Sequence, residues 1–333
     1  MENTQLWKYC SKEQCQDFIL SLGLLPQKAG GCEKESRAGQ LACLYMLSNR
    51  SEKFYQEVKL PKKDGGVRTL TVPCGLLKSV QRRILHHVLE GREVSSYARA
   101  YCRGSSLRAN TEPHVGQGWV LKLDIRHFFD SIIFPQVYGA AFPDTLFPPE
   151  AACLLTNLCC YRNRLPQGAP TSPAISNLVM KPFDESMGAW CARRGVVYTR
   201  YCDDMTFSGN SDPRAVYTKA RSFLQAYGFE LNAKKTRLMG QGGCQMVTGV
   251  VVNEKLQVPR ELRRKLRQEI FYCRRYGIRE HLKHESARRG QDVDAVRYAA
   301  EVEGRIQFVL QINPQDEEFL EYRSIWKELV RLM

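Results

Sequence analysis

The chain is short of acidic residues. Its 333 positions hold 35 Asp and Glu against 49 Lys and Arg, a formal net charge of +14. Such an excess points to a polyanionic partner, either nucleic acid or an acidic membrane surface. Two further absences weaken the membrane option. No run of about 18 apolar residues is present, so no transmembrane helix is expected. The opening MENTQLWKYCSKEQ has no basic start followed by an apolar stretch, so no secretory leader is expected. Internal repeats and low-complexity linkers are also missing. Cysteine is plentiful, with 13 residues, but CxxC pairs are lacking and only Cys159 and Cys160 are adjacent. That excludes both a disulfide framework and the usual zinc spacing. Reduced, mostly buried thiols in a cytoplasm fit better, and His86-His87 has no matching cysteines or carboxylates nearby.

What is present is enough apolar material for a core, 43% of the residues, arranged in changing periods. Leu6, Phe18, Ile19 and Leu22, then Leu41, Leu44 and Met46, fall at roughly helical spacing, with a loop expected from Gln27 to Arg37. Tyr55–Leu60 and Val67–Val72 alternate about the turn Lys62-Lys63-Asp64-Gly65-Gly66, which predicts a hairpin with a basic tip. A helix follows over Gly75–Glu90. Trp119–Asp124 reads as a strand ending on an acid. Helices are predicted over 149–161, 173–194 and 215–228, a second hairpin over 196–208, a strand over Gln245–Val252, and almost continuous helix from Pro259 onward. Strands and helices alternating between helical ends predict an α+β core with a helical appendage.

The second hairpin carries the chemistry. In RYCDDMTFSG, Asp203 and Asp204 stand side by side at the tip of a tight turn, where two bare carboxylates repel each other. A divalent cation removes that penalty, and carboxylate oxygens are the ligands Mg²⁺ prefers. On its own the dipeptide reads more readily as an ordinary solvated turn. Asp124, at the end of another strand, shifts the balance: three carboxylates at one sheet edge can hold two metals about 3.5–4 Å apart, which clamps both oxygens of a phosphoryl displacement. The alternative for Asp124 is a cap on the helix that follows.

The segments LKLDIRHFFDSI, LPQGAPTSPAISNL, RYCDDMTFSG, LNAKKTRLM and VTGVVVN stand in the order and spacing of reverse transcriptases. From about Leu60 to Asn253 the chain resembles that family, and more narrowly the bacterial retron reverse transcriptases: SLRANTEPH is similar to their NAxxH signature and Val247-Thr248-Gly249 to a VTG signature. Thr111 replaces the usual Ala of the first, and Cys202 the usual Ala of YADD. The resemblance implies a right-hand polymerase: an N-terminal helical extension (1–50), fingers (51–115), a palm (116–257) with part of the fingers inserted at about 150–195, and a helical thumb (258–333). It implies that Asp124 and Asp203 bind two Mg²⁺ ions with the Ile125 carbonyl, and that Asp204 supports charge and geometry. Arg68 would grip the triphosphate of an incoming deoxynucleotide, assisted by Lys62 or Lys63; a plain surface strand residue is its alternative. Gln167 and Gly168 would line the nucleotide pocket, though a turn before the next helix explains the same pair. Phe129 would exclude a ribose 2′-hydroxyl by clash and by offering it no hydrogen bond. A core phenylalanine is the alternative, and with Phe128 beside it only one of the pair can point into the pocket; the resemblance favours Phe129.

Between Arg260 and Arg289 there are eleven Arg or Lys and four Glu, a local excess of +7. Arg260, Arg263, Arg264 and Arg267 form one helical stripe opposite Leu262, Leu266 and Ile270, suited to phosphates and to salt-dependent affinity. The resemblance adds Lys235, Asn110 and His114 as contacts to RNA (for the last two, neighbouring protein is the alternative) and Val247, Thr248 and Gly249 as the grip on the primer end. About 80 positions follow Asn253, enough for a thumb and too few for a ribonuclease H, endonuclease or integrase domain. The function expected is copying of part of a cognate structured noncoding RNA into branched single-stranded DNA, primed from a guanosine 2′-hydroxyl, with an effector protein encoded nearby, in antiphage defence. The alternatives are a defence-associated or intron-type reverse transcriptase with another primer, and an RNA-binding scaffold without catalysis.

Overall fold

The computed structural model describes residues 7, 9–25, 36–61, 65–289 and 294–333. Two helices come first, α1 (Lys12–Ser21) and α2 (Arg37–Asn49). Each has a serine whose side chain accepts from the backbone of its first turn, Ser11 from Gln14 and Ser36 from Gly39. Most of the loop expected at Gln27–Arg37 lies outside the described residues, and Arg37 itself opens α2. The predicted first hairpin is present as β1 (Tyr55–Pro61) and β2 (Val67–Pro73), antiparallel with Leu60 opposite Arg68. Its tip, with Lys62 and Lys63, lies outside the described residues. Helix α3 (Gly75–Ile84) runs into a π turn at Leu85–Leu89.

After the short α4 (Leu107–Thr111) comes β3 (Trp119–Asp124), followed by α5 (Phe128–Ser131), α6 (Phe134–Ala141), α7 (Pro149–Cys159) and α8 (Ser172–Ala192). The second hairpin is β4 (Val197–Tyr201) and β5 (Asp204–Gly209); α9 (Pro213–Ala226) and β6 (Arg237–Gly240) follow. These strands form one antiparallel sheet in the order β4-β5-β3-β6. Its two central strands are almost wholly buried, which is why they read as apolar runs rather than as alternation. Leu178, Phe183 and Met187 of α8 and Val216, Ala220 and Leu224 of α9 join the sheet in a core that also takes in α1, α2 and α7.

The strand expected over Gln245–Val252 is instead a minimal hairpin, β7 (Met246–Val247) and β8 (Val250–Val251). Thr248 and Gly249 between them both have positive φ, +44° and +85°, the requirement of a two-residue turn that follows the strand twist. The helices α10 (Arg260–Tyr276), α11 (Ile278–Arg289), α12 (Ala295–Ile312) and α13 (Glu317–Arg331) complete the chain. They share a second core with that hairpin, where Val247, Val250 and Val252 meet Leu266, Ile270 and Val302. Among the described residues no helix is long and apolar enough to cross a membrane.

Candidate active site

Tyr201 pairs with Asp204, so Cys202 and Asp203 alone make the turn between β4 and β5. Cys202 adopts φ +62°, and its side chain is buried. The sheet then brings in the third acid. In the antiparallel register of β3 and β5, Asp124 lies opposite Asp204, and the Ile125 N–H donates to the Asp203 carbonyl at 3.1 Å. Facing residues in such a ladder point to the same side of the sheet. The three acids thus share one sheet edge, although about 80 positions separate Asp124 from the other two.

Their electrostatics record the crowding. Burial first, and the neighbouring Asp124 next among the raising influences, hold the Asp203 carboxyl above the ordinary aspartate range. Asp204 is raised by burial, with Asp203 and Asp124 adding to it and Lys122 opposing. Two lysines partly compensate. Lys235 Nζ stands 2.8 Å from Asp124 Oδ2, and Lys122 Nζ 3.8 Å from Asp204 Oδ2. The bond to Asp124 raises the Lys235 ammonium above its usual value. Lys235, expected to face nucleic acid, is therefore engaged with the acid cluster, while 57% of its side-chain surface stays exposed. Beyond the strand, Asn232 donates to the Asp124 carbonyl and Arg126 to that of Glu230; these ladder bonds flank the Ile125 carbonyl without using it. Among the described residues no group of three His, Cys, Asp or Glu side chains is arranged to hold a metal ion. The donor set nonetheless suits a hard divalent cation: only oxygen ligands, with mutual repulsion that a cation relieves.

The turn is held from behind by a pair that sequence reasoning missed. Arg200, on β4, donates through Nη1 to the Cys202 carbonyl at 3.0 Å and forks onto Asp184 of α8. Its backbone is fixed as well, since Arg200 accepts from Arg99 and donates to the Tyr97 carbonyl, both at 2.8 Å. The legible signal was a break in pattern: a charge at an inward position in a helix that otherwise buries Phe183 and Met187, and another in a buried strand. Tyr101, at φ +59°, also stands beside this turn with more than half of its surface exposed; burial of the remaining part first, then Cys202 and Asp203, raises the pKa of its hydroxyl.

Near the acids, Phe128 is in the core and Phe129 is half-buried at its margin. The Gln167 carbonyl accepts from Thr71 N–H of β2 at 2.9 Å, which ties the first hairpin to the LPQG segment. Gly168 has φ +128°, and a Cβ there would meet the Thr71 carbonyl and Val72 at 3.0 Å, so the close approach requires glycine. Arg68 is exposed on β2.

Of the two alternatives for Asn110 and His114, RNA or neighbouring protein, the structure shows contact with neighbouring protein: both side chains are fully buried. His114 bonds Ser208 and Thr199, and Asn110 bonds Thr248. The arginine stripe also divides. Arg263 is ion-paired with Asp316 and Glu318 of α13 and lies over the Phe319 ring, with only 13% of its side chain exposed. Arg267 shares Glu318. Arg260 and Arg264 are exposed, while Leu266 and Ile270 are buried as predicted. Of the VTG residues, Val247 is buried, Thr248 half-buried and Gly249 exposed.

Comparison with known proteins gives the chain a family. The family model for reverse transcriptase (RNA-dependent DNA polymerase) matches residues 60–252. The Retron Mx65 reverse transcriptase of Myxococcus xanthus is 36% identical over 291 residues, which cover 81% of this chain and 64% of that protein. The Retron Ec86 reverse transcriptase of Escherichia coli is 33% identical over 247 residues, covering 72% and 76%. The chain therefore spans just under two thirds of the first relative and about three quarters of the second. A solved telomerase from Candida albicans, in complex with a fragment of telomeric RNA, aligns over 88% of this chain and 68% of its own, at 11% identity and a TM-score of 0.45. With the family match covering more than half of its length and the acids gathered at one sheet edge, the chain belongs to the reverse transcriptase family and, within it, to the retron reverse transcriptases.

Proposed function

We propose that the chain is an RNA-directed DNA polymerase that copies part of a structured noncoding RNA into branched single-stranded DNA. The observation that carries this reading is the register of Asp124 against Asp204, with Asp203 adjoining in the turn. Asp124, Asp203 and the Ile125 carbonyl would hold two Mg²⁺ ions, with Asp204 supporting them; such ions supply charge stabilisation to both the attacking and the leaving oxygen of the displacement. Arg68 is suited to the triphosphate, because a guanidinium forks onto phosphate oxygens. Gln167 and Gly168 would bound the nucleotide beside it, and Phe129 would set the preference for deoxyribose. Residues 51–115 would act as fingers, 116–257 as palm with 150–195 inserted, and 258–333 as thumb. Arg260, Arg264 and the Thr248–Gly249 turn would meet the template–primer.

The retron reading adds a guanosine 2′-hydroxyl as primer, deoxynucleoside triphosphates as substrates, and an effector protein in antiphage defence. Purifying the protein with its bound nucleic acid from its native operon tests it. Sequencing should find DNA joined to RNA through a 2′,5′ branch; linear DNA alone would assign another primer. Replacing Asp203 and Asp204 together by Asn should abolish DNA synthesis and leave RNA binding intact. The non-catalytic scaffold predicts instead that the variant behaves as the wild type does, with no DNA made by either.

A further inference from the structure

The residues of the two signature motifs, 138 positions apart, touch each other. Asn110 Nδ2 donates to Thr248 Oγ1 at 3.2 Å. The contact does not depend on which way the amide is turned, because a threonine hydroxyl both donates and accepts. One turn on, His114 lies between the two strands of the Asp203–Asp204 hairpin: Nδ1 is 2.7 Å from Ser208 Oγ on β5, and Nε2 is 2.9 Å from Thr199 Oγ1 on β4. Thr199 Oγ1 also reaches the Asn110 carbonyl at 3.4 Å. Thr199 precedes the Cys202-Asp203 turn by only three residues, and Ser208 follows Asp204 by four. Burial, helped by Arg99, pushes the His114 imidazole down to about 4. It is therefore neutral in any working buffer and serves as a fixed hydrogen-bonding bridge rather than as a charge for phosphate.

The same segment holds the second core. Leu107 and Val115 pack against it, and Gly116 N–H reaches the Val252 and Asn253 carbonyls at 3.1 and 2.9 Å. On the far side, Thr248 adopts φ +44°, a conformation β-branched residues seldom take unless their surroundings impose it. Asn110 supplies such a constraint. A continuous chain of bonds thus runs from the Asp203–Asp204 hairpin through Thr199 and Ser208, His114 and Asn110 to the Thr248–Gly249 turn, on which the C-terminal helices are packed.

We propose that Asn110 and His114 are positioning residues, which fix the Thr248–Gly249 turn relative to the catalytic acids so that the primer end meets them in register. This rests on the polymerase reading above, and hydrogen exchange tests it independently of activity. In Asn110→Ala, amides of Met246–Val251 should exchange faster while those of β3 stay protected; unchanged exchange at Met246–Val251 would overturn the brace. On a pre-annealed RNA template and DNA primer, Asn110→Ala and Thr248→Ala should each lower kcat about ten-fold or more, as small misplacements do. For Asn110→Ala, whose side chain is fully buried, the KM for deoxynucleotides and the affinity for the template–primer should stay near wild type. The double variant should be no worse than either single one, because both remove one bond. Additive losses, or a fall in template–primer affinity in Asn110→Ala that accounts for its lost rate, would place the Asn110 side chain on nucleic acid and overturn the proposal. Thr248 is only half-buried, so Thr248→Ala keeps the test open if Asn110→Ala fails to fold. A wild-type protein that does not extend primers, yet shows the exchange effect, would sink the polymerase reading and leave the brace standing.

Discussion

Arg200 and Asp184 form an ion pair with no exposed surface on either side chain. Nε meets Oδ1 at 2.8 Å and Nη2 meets Oδ2 at 2.6 Å, and Tyr198 donates to the same carboxylate at 2.7 Å. The third arm of the guanidinium holds the Cys202 carbonyl, one residue from Asp203. Removing one partner strands a buried charge, so Arg200→Leu or Asp184→Ala should destabilise the protein by about 3–5 kcal/mol. Arg200→Lys keeps the charge and loses the fork; it should fold and extend primers more slowly. Urea unfolding beside primer extension separates the two effects.

Asp203 and Asp204 both sit above the ordinary carboxyl value of 3.8 because of burial and neighbouring acids. A carboxyl with a raised folded-state pKa holds its proton more tightly when folded. Its favourable contribution is complete below the unfolded value, about pH 4, and is lost as pH rises through the folded value. At neutral pH the pair therefore opposes folding. Asp203→Asn with Asp204→Asn should raise the melting temperature at pH 7 without divalent ions, with a gain that fades toward pH about 3.5. Magnesium chloride should raise the wild-type melting temperature and leave the variant unmoved. A variant that melts lower than wild type at pH 7 would contradict this account.

Phe129 lies at the margin of the core while Phe128 is within it. Phe129→Ala removes bulk without opening the core, so incorporation of ribonucleotides should rise relative to deoxyribonucleotides in single-nucleotide extension assays. Phe128→Ala should instead lower stability by about 3–5 kcal/mol. An unchanged incorporation ratio in Phe129→Ala would remove that residue from the sugar gate.

Arg260 and Arg264 face outward, whereas Arg263 is tied to Asp316 and Glu318. Replacing Arg260 and Arg264 by Ala should weaken binding to the template–primer and flatten its dependence on log salt by roughly 1.5, the slope of two phosphate contacts. Arg263→Ala should leave that slope alone and lower the unfolding midpoint. The two titrations together decide which arginines touch phosphate.

Much of the fold was legible because its signals are local. The strand Trp119–Asp124 has the predicted bounds, and the acid hairpin follows from β-favouring residues on both sides of a short polar turn. The strand β6 was not legible: Arg237–Gly240 has two charged or glycine ends and becomes a strand only by pairing with β3. Gln245–Val252 read as one strand because its apolar run hides the turn that Thr248 makes against its own preference. The stripe on α10 misled in part because spacing reports which residues share a helix face, and says nothing of the acids that α13 places beside Arg263 and Arg267.

The sequence by itself determined which chemistry was possible: three aspartates, one closing a strand and two at a hairpin turn, in a basic chain with no closed set of nitrogen or sulfur ligands. Only the tertiary structure decided which polar groups work inside the protein. Asn110, His114, Asp184 and Arg200 look like surface residues in one dimension, because side-chain type sets the cost of burial but not whether a partner is waiting. That partner arrives from a distant element, and its hydrogen bonds repay the lost water.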